Sequence, residues 1–94
     1  MPASEPEPIY HKTGVKLIIR HEALPFQLSR LVCTVAVPWP DGSATTYEVS
    51  GDVPLARALA KLISTGIDEG TPKPVIRANV YRLLADAERA MRKN

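Results

Sequence analysis

Cys33, His11 and His21 are the side chains of this 94-residue chain best suited to metal ligation or nucleophilic chemistry. A structural zinc site takes four ligands, commonly grouped in CxxC or HxxxH pairs. The chain has neither pair, so no metal is expected. A reactive thiolate needs a partly exposed, electropositive setting with a base nearby. Cys33 lies instead within Leu31-Val32-Cys33-Thr34-Val35-Ala36-Val37, a β-branched run whose alternation sends it to the core with Val35. An inert, buried thiol is expected, with His21 the base that the first strand brings nearest.

The carboxylates do not suggest catalysis either. Asp68 and Glu69 are neighbours in a loop, while Asp86 and Glu88 stand among arginines on a helix. Paired acid and base work requires two carboxylates in one enclosed cleft with separated pKa values. There is no GxGxxG, Walker-type loop or nucleophile elbow. The expectation is a non-enzyme without cofactor or small-molecule substrate.

Basic residues are concentrated toward the C-terminal end of the chain. Lys73, Arg77, Arg82, Arg89, Arg92 and Lys93 face only Asp86 and Glu88 between Pro72 and Asn94, although the whole chain carries a formal charge of just +2. Together with Arg57 and Lys61 on the preceding helix, Arg77, Arg82 and Arg89 would make a surface able to neutralise phosphates. Against that, Asp86 interrupts the set, and the inter-helix loop is too long for a helix-turn-helix. Trp39, between two prolines, is the other residue of interest. A tryptophan held in a rigid turn makes an interface anchor when exposed; the structural alternative is that it folds back over a helix end.

These side chains are positioned by a short series of elements. Pro40-Asp41-Gly42 has the chemistry of a three-residue hairpin loop: proline presets the first turn residue, aspartate bonds the backbone beyond it, and glycine accepts positive φ. That loop sets Trp39 opposite Ser43, Val37 opposite Thr45, Val35 opposite Tyr47 and Cys33 opposite Val49. A one-residue slip would exchange the two faces. Strands are thus expected near 15–20, 31–37 and 44–50. The first has Lys16 and Arg20 outward, which suggests a protected edge. Residues 21–30 are ambiguous between strand and helical turn, with Phe26 expected in the core.

Asp52 is a credible N-cap with Pro54 in the first turn, and Gly66 a natural C′ residue, which bounds a helix at 53–65. Leu55, Leu59, Leu62 and Ile63 share one face of it, with Ser64 on the other. A second helix, near 75–92, aligns Ile76, Val80, Leu83, Leu84, Ala87 and Met91. Spacing pairs Arg82 with Asp86 and Glu88 with Arg92. Residues 1–12, with Pro2, Pro6 and Pro8 among small and acidic residues, read as an extended, disordered tail. Gly51-Asp52-Val53-Pro54 before an alanine-rich helix, then Gly70-Thr71-Pro72-Lys73-Pro74, resembles short segments of small antitoxin domains of the HicB type. Such domains carry another strand where this chain carries its second long helix, and no residue role follows.

Composition agrees with one ordinary globular domain over residues 13–94: 45% hydrophobic and 23% charged residues fit neither disorder nor a membrane protein. No apolar run reaches the ~20 residues of a membrane span. A single cysteine rules out an intramolecular disulfide, and Met1–Pro8 lacks the basic and apolar regions of a signal peptide, so a cytoplasmic protein is expected. The fold class is α+β, a three-stranded antiparallel sheet with both helices on one face. The opposite face would mix Ile18, Val32 and Ala36 with charged residues. Those three and Trp39 are the candidate partner-binding residues. The reading that follows is a small non-catalytic interaction or regulatory domain, homodimeric by face packing or edge pairing. The alternative is a nucleic-acid-binding regulator that uses the basic helix faces.

Overall fold

The computed structural model describes residues 6–10 by their backbone and residues 12–23, 25 and 29–92 with side chains. In chain order the elements are β1 (Pro6–Tyr10), β2 (Val15–Ala23), β3 (Ser29–Pro38), β4 (Ala44–Ser50), α1 (Val53–Asp68) and α2 (Lys73–Arg92). The strands form one antiparallel sheet in the order β1-β2-β3-β4. The α+β class and both C-terminal helices are as the sequence predicts. No helix among the described residues is long and apolar enough to cross a membrane.

The β3–β4 hairpin has the expected register, with Cys33 opposite Val49, Val35 opposite Tyr47 and Val37 opposite Thr45. Its loop closes through Trp39 N–H to the Ser43 carbonyl at 2.9 Å and Gly42 N–H to the Trp39 carbonyl at 3.0 Å. Gly42 has φ +90°, the left-handed position that this loop needs. One face then gathers Val15, Leu17, Cys33, Val35, Val37 and Val49 into the core.

Two sequence expectations about the sheet are corrected. Residues 6–10 form β1 and pair with β2, where composition suggests a tail. Prolines bias their predecessors to extended backbone, and an outer strand tolerates them because it owes hydrogen bonds on one side only. The strand Val15–Ala23 is consequently interior, between β1 and β3, and not an edge. Lys16 and Arg20 point to the face away from the helices. The ambiguous segment resolves in part: β2 continues to Ala23 and β3 starts at Ser29, with Glu22 opposite Arg30. Phe26 lies outside the described residues.

Helix α1 lies across β2 and β3, and α2 packs along α1. Asp52 caps α1 as expected, its carboxylate accepting the Leu55 N–H at 2.9 Å. The residues pressed on the sheet are Ala56, Leu59, Ala60 and Ile63, whereas Leu55 and Leu62 are half-buried. Two alanines on the contact side let the helix settle close to the strands. Ser64 is also buried, not solvent-facing, and shares a hydrogen bond of 2.6 Å with Thr13.

Gly66 does not end the helix. Instead α1 runs three residues further, and Gly70 (φ +75°) is the C′ residue. Thr71 N–H bonds the Gly66 carbonyl and Gly70 N–H the Ile67 carbonyl, the double closure of a Schellman motif. Gly66 has a different job. A Cβ there would lie 2.8 Å from Cγ1 of Ile76, a buried α2 side chain, so its bare Cα is what lets α2 approach. Helix propensity alone predicts that Gly66→Ala stabilises by about 1 kcal/mol. Overpacking at such a contact costs about 1–3 kcal/mol. Urea denaturation is therefore expected to show a net loss of about 1 kcal/mol, and a net gain would mean that the helices are not in close contact at Gly66.

Candidate interaction surfaces

The hairpin tip is tied to the start of α2 by a small polar junction. The Asp41 carboxylate accepts the Ser43 N–H at 2.8 Å and the Ser43 hydroxyl. Lys73, on the first turn of α2, donates to Ser43 Oγ at 2.8 Å and Asp41 Oδ2 at 3.3 Å. Its Nζ also stands 5.2 Å from the centroid of the Trp39 ring, within cation–π range. The Trp39 indole N–H donates to Thr45 Oγ1 at 2.7 Å. Trp39 is only 3% exposed and belongs to the core cluster.

That placement decides between the two readings of Trp39: the ring folds back against a helix end and is not an exposed anchor. Flanking prolines hold the chain at the tip, but α2 arrives there and covers the ring, and Thr45 satisfies its one polar atom. The reading of Val32 is corrected. It lies on the sheet face away from the helices, yet it is fully buried and outside the helix-side cluster. Ile18 and Ala36 are half-buried. The same face carries a polar network: Arg20 donates to Thr34 Oγ1 at 2.8 Å, and Glu22 lies 2.9 Å from Arg30 and 3.7 Å from Arg20. Ile18, Val32 and Ala36 therefore do not form an open apolar patch.

The catalytic candidates are dispersed. Cys33 is fully buried in the core, the setting of an unreactive thiol, and His21 is exposed on β2 opposite Leu31. Asp68 pairs with Lys12 at 3.5 Å on the surface. No group of three His, Cys, Asp or Glu among the described residues is placed to hold a metal ion.

Arg57, Lys61, Arg77, Arg82 and Arg89 are all exposed, as a basic surface requires. One of the two expected pairs forms, Glu88 with Arg92 at 2.6 Å. The other does not: Asp86 engages Arg89, three residues on. Arg82 is thereby left without the partner that spacing suggested. Tyr81, 68% exposed, stands between Arg77 and Arg82 in sequence and one turn from Arg77 in space. The signal for this aromatic among cations was present in the i to i+4 spacing of Arg77 and Tyr81.

A second surface was not visible in the sequence. The apolar stripe of α2 is buried at Ile76 and Val80, but Leu84 and Ala87 are half-buried and Met91 is 72% exposed. Helix α2 outruns what α1 and the sheet can cover. With Val49, Ser50 and Leu55, these residues line an open cleft of about 380 Å³ at the end of β4.

Hydrogen bonds from Ser43 and then the charge of Lys73 hold the Asp41 carboxyl at about 2, below its ordinary 3.8. A depressed carboxylate stabilises the fold above its ordinary pKa, and that contribution fades as pH falls through the folded value. Emission from Trp39, the single tryptophan, should hence stay constant from pH 7 to 4 and change between about pH 4 and 2 as the junction opens. A change centred near pH 6 would contradict this arrangement.

Comparison with known proteins finds no matching family model, no matching curated protein and no matching solved structure.

Proposed function

We propose that this chain is a small non-catalytic interaction domain with a regulatory role, and that it acts as a homodimer. The observation that carries this reading is the cleft beside β4, where Leu84, Ala87 and Met91 continue the apolar stripe of α2 beyond the core. Apolar side chains gathered in an open cleft are a common mark of a protein partner. A second copy is the partner that needs nothing else, since a two-fold interface is self-complementary.

A second reading rests on Tyr81 and its neighbours. Arg77 and Arg82 flank an exposed aromatic, a combination that suits nucleic acid by pairing phosphate neutralisation with base stacking. The two readings make different demands of one experiment, light scattering with and without a mixed-sequence oligonucleotide. The first expects a mass of twice 10.3 kDa at micromolar concentration, little affected by salt or oligonucleotide. Met91→Glu should weaken that association by about tenfold or more, since burying a methionine is worth about 1.5–3 kcal/mol. A single-chain mass at every concentration contradicts it. The second expects oligonucleotide binding at low salt with a log–log slope of about −2, lowered by about 1 in either Arg77→Ala or Arg82→Ala. Absence of binding at low salt eliminates the second.

A further inference from the structure

We infer that two copies of this chain join along the free edge of β4, antiparallel about a two-fold axis, so that their two sheets become one. This rests on the homodimer reading and adds to it the seam and its register.

The backbone pattern shows what that edge offers. Trp39 N–H bonds the Ser43 carbonyl at 2.9 Å, and Gly51 N–H bonds the Leu31 carbonyl at 2.8 Å. Hydrogen-bonded positions alternate along an antiparallel ladder. Between those two bonds, Thr45, Tyr47 and Val49 therefore turn their backbone groups toward β3. Ala44, Thr46, Glu48 and Ser50 turn theirs outward. Among the described residues, no backbone bond from another element reaches those outward groups.

The two edges of the sheet are built differently. On β1, Pro6 and Pro8 supply no N–H, and the pairing with β2 shifts register between Glu7 and Tyr10. Prolines and irregularities of this kind discourage a further strand from adding. On β4 the run Ala-Thr-Thr-Tyr-Glu-Val-Ser has no proline and no lysine, pairs with β3 without a register shift, and carries one charge. A strand so open would be an aggregation hazard unless something occupies it.

A second copy fits this asymmetry. Two-fold pairing consumes the open edge of both chains at once and leaves only the two β1 edges outside, so growth stops at two. A heterologous peptide explains no such closure. The register follows from the same alternation. Outward-facing residues must meet outward-facing residues, and the whole strand pairs only when the axis passes through Tyr47. Thr46 then meets Glu48 of the second copy, Ala44 meets Ser50, and Thr45 meets Val49. No glutamate faces a glutamate, and the two Tyr47 side chains lie directly opposite, a favourable cross-strand pair. The apolar cleft shares Val49 and Ser50 with this strand, so the added copy also arrives beside Met91.

Thr46→Pro tests the seam because it deletes a donor on the free side only, where an edge strand tolerates proline. The variant is expected to keep its circular dichroism and associate about tenfold more weakly or worse. In the wild-type protein, amide exchange at Thr46 and Glu48 should be slow at high concentration and accelerate on dilution. If Thr46→Pro fails to fold, those wild-type exchange rates decide the question. A wild-type dimer whose Thr46 and Glu48 amides exchange at the solvent rate overturns the seam while the homodimer reading stands. A single-chain mass at every concentration overturns both. A mass that keeps growing beyond two chains refutes the closure argument.

Discussion

The register of the β3–β4 hairpin is the constraint on which the rest of this molecule depends. It is set locally, by Pro40-Asp41-Gly42 and the left-handed Gly42, and it has three separate consequences. It sorts Cys33, Val35, Val37 and Val49 onto the face that α1 covers. It brings Thr45 within hydrogen-bond distance of the Trp39 indole. It also decides which backbone groups of β4 point away from β3. A slip by one residue would expose the core face and exchange the free donors and acceptors of β4 for the bonded ones.

The hairpin was legible because its alternation and its turn chemistry are local and agree with each other. Asp52 as a cap was legible for the same reason. The misreadings share a different cause. Composition makes Pro6–Tyr10 look unable to fold, yet β2 supplies it a ready backbone partner. Gly66 carries the local mark of a helix end, but the reason for glycine there is Ile76, a residue of the next helix. The turn around Trp39 leaves open whether the ring is covered, because the residue that lies over it, Lys73, comes from beyond α1. Helical spacing placed Met91 on the correct side of α2 but said nothing of where the sheet stops.

Burial redistributes the functional candidates. The sheet face away from the helices, which the sequence put forward, carries a polar network around a fully buried Val32. Trp39 works inside the domain by joining the hairpin tip to α2. Uncovered features among the described residues include the β4 edge, the cleft at Met91 and the arginines around Tyr81. In the dimer proposed above, hydrophobic closure and backbone pairing would act at the first two together, which is why we favour a second copy over an unrelated partner for each.

The hairpin register is open to direct measurement by Hα–Hα nuclear Overhauser contacts. In an antiparallel ladder the residues of non-hydrogen-bonded pairs have Cα atoms about 4.5 Å apart, close enough for a strong contact between their Hα atoms. The β3–β4 pairing predicts such contacts for Thr34 with Glu48 and for Ala36 with Thr46. Across the proposed seam, Thr45 should show one to Val49, residues of a single strand too far apart to give it within one chain. Contacts joining Val35 to Glu48 or to Thr46 instead would contradict the register, and with it both the core and the edge that follow from it.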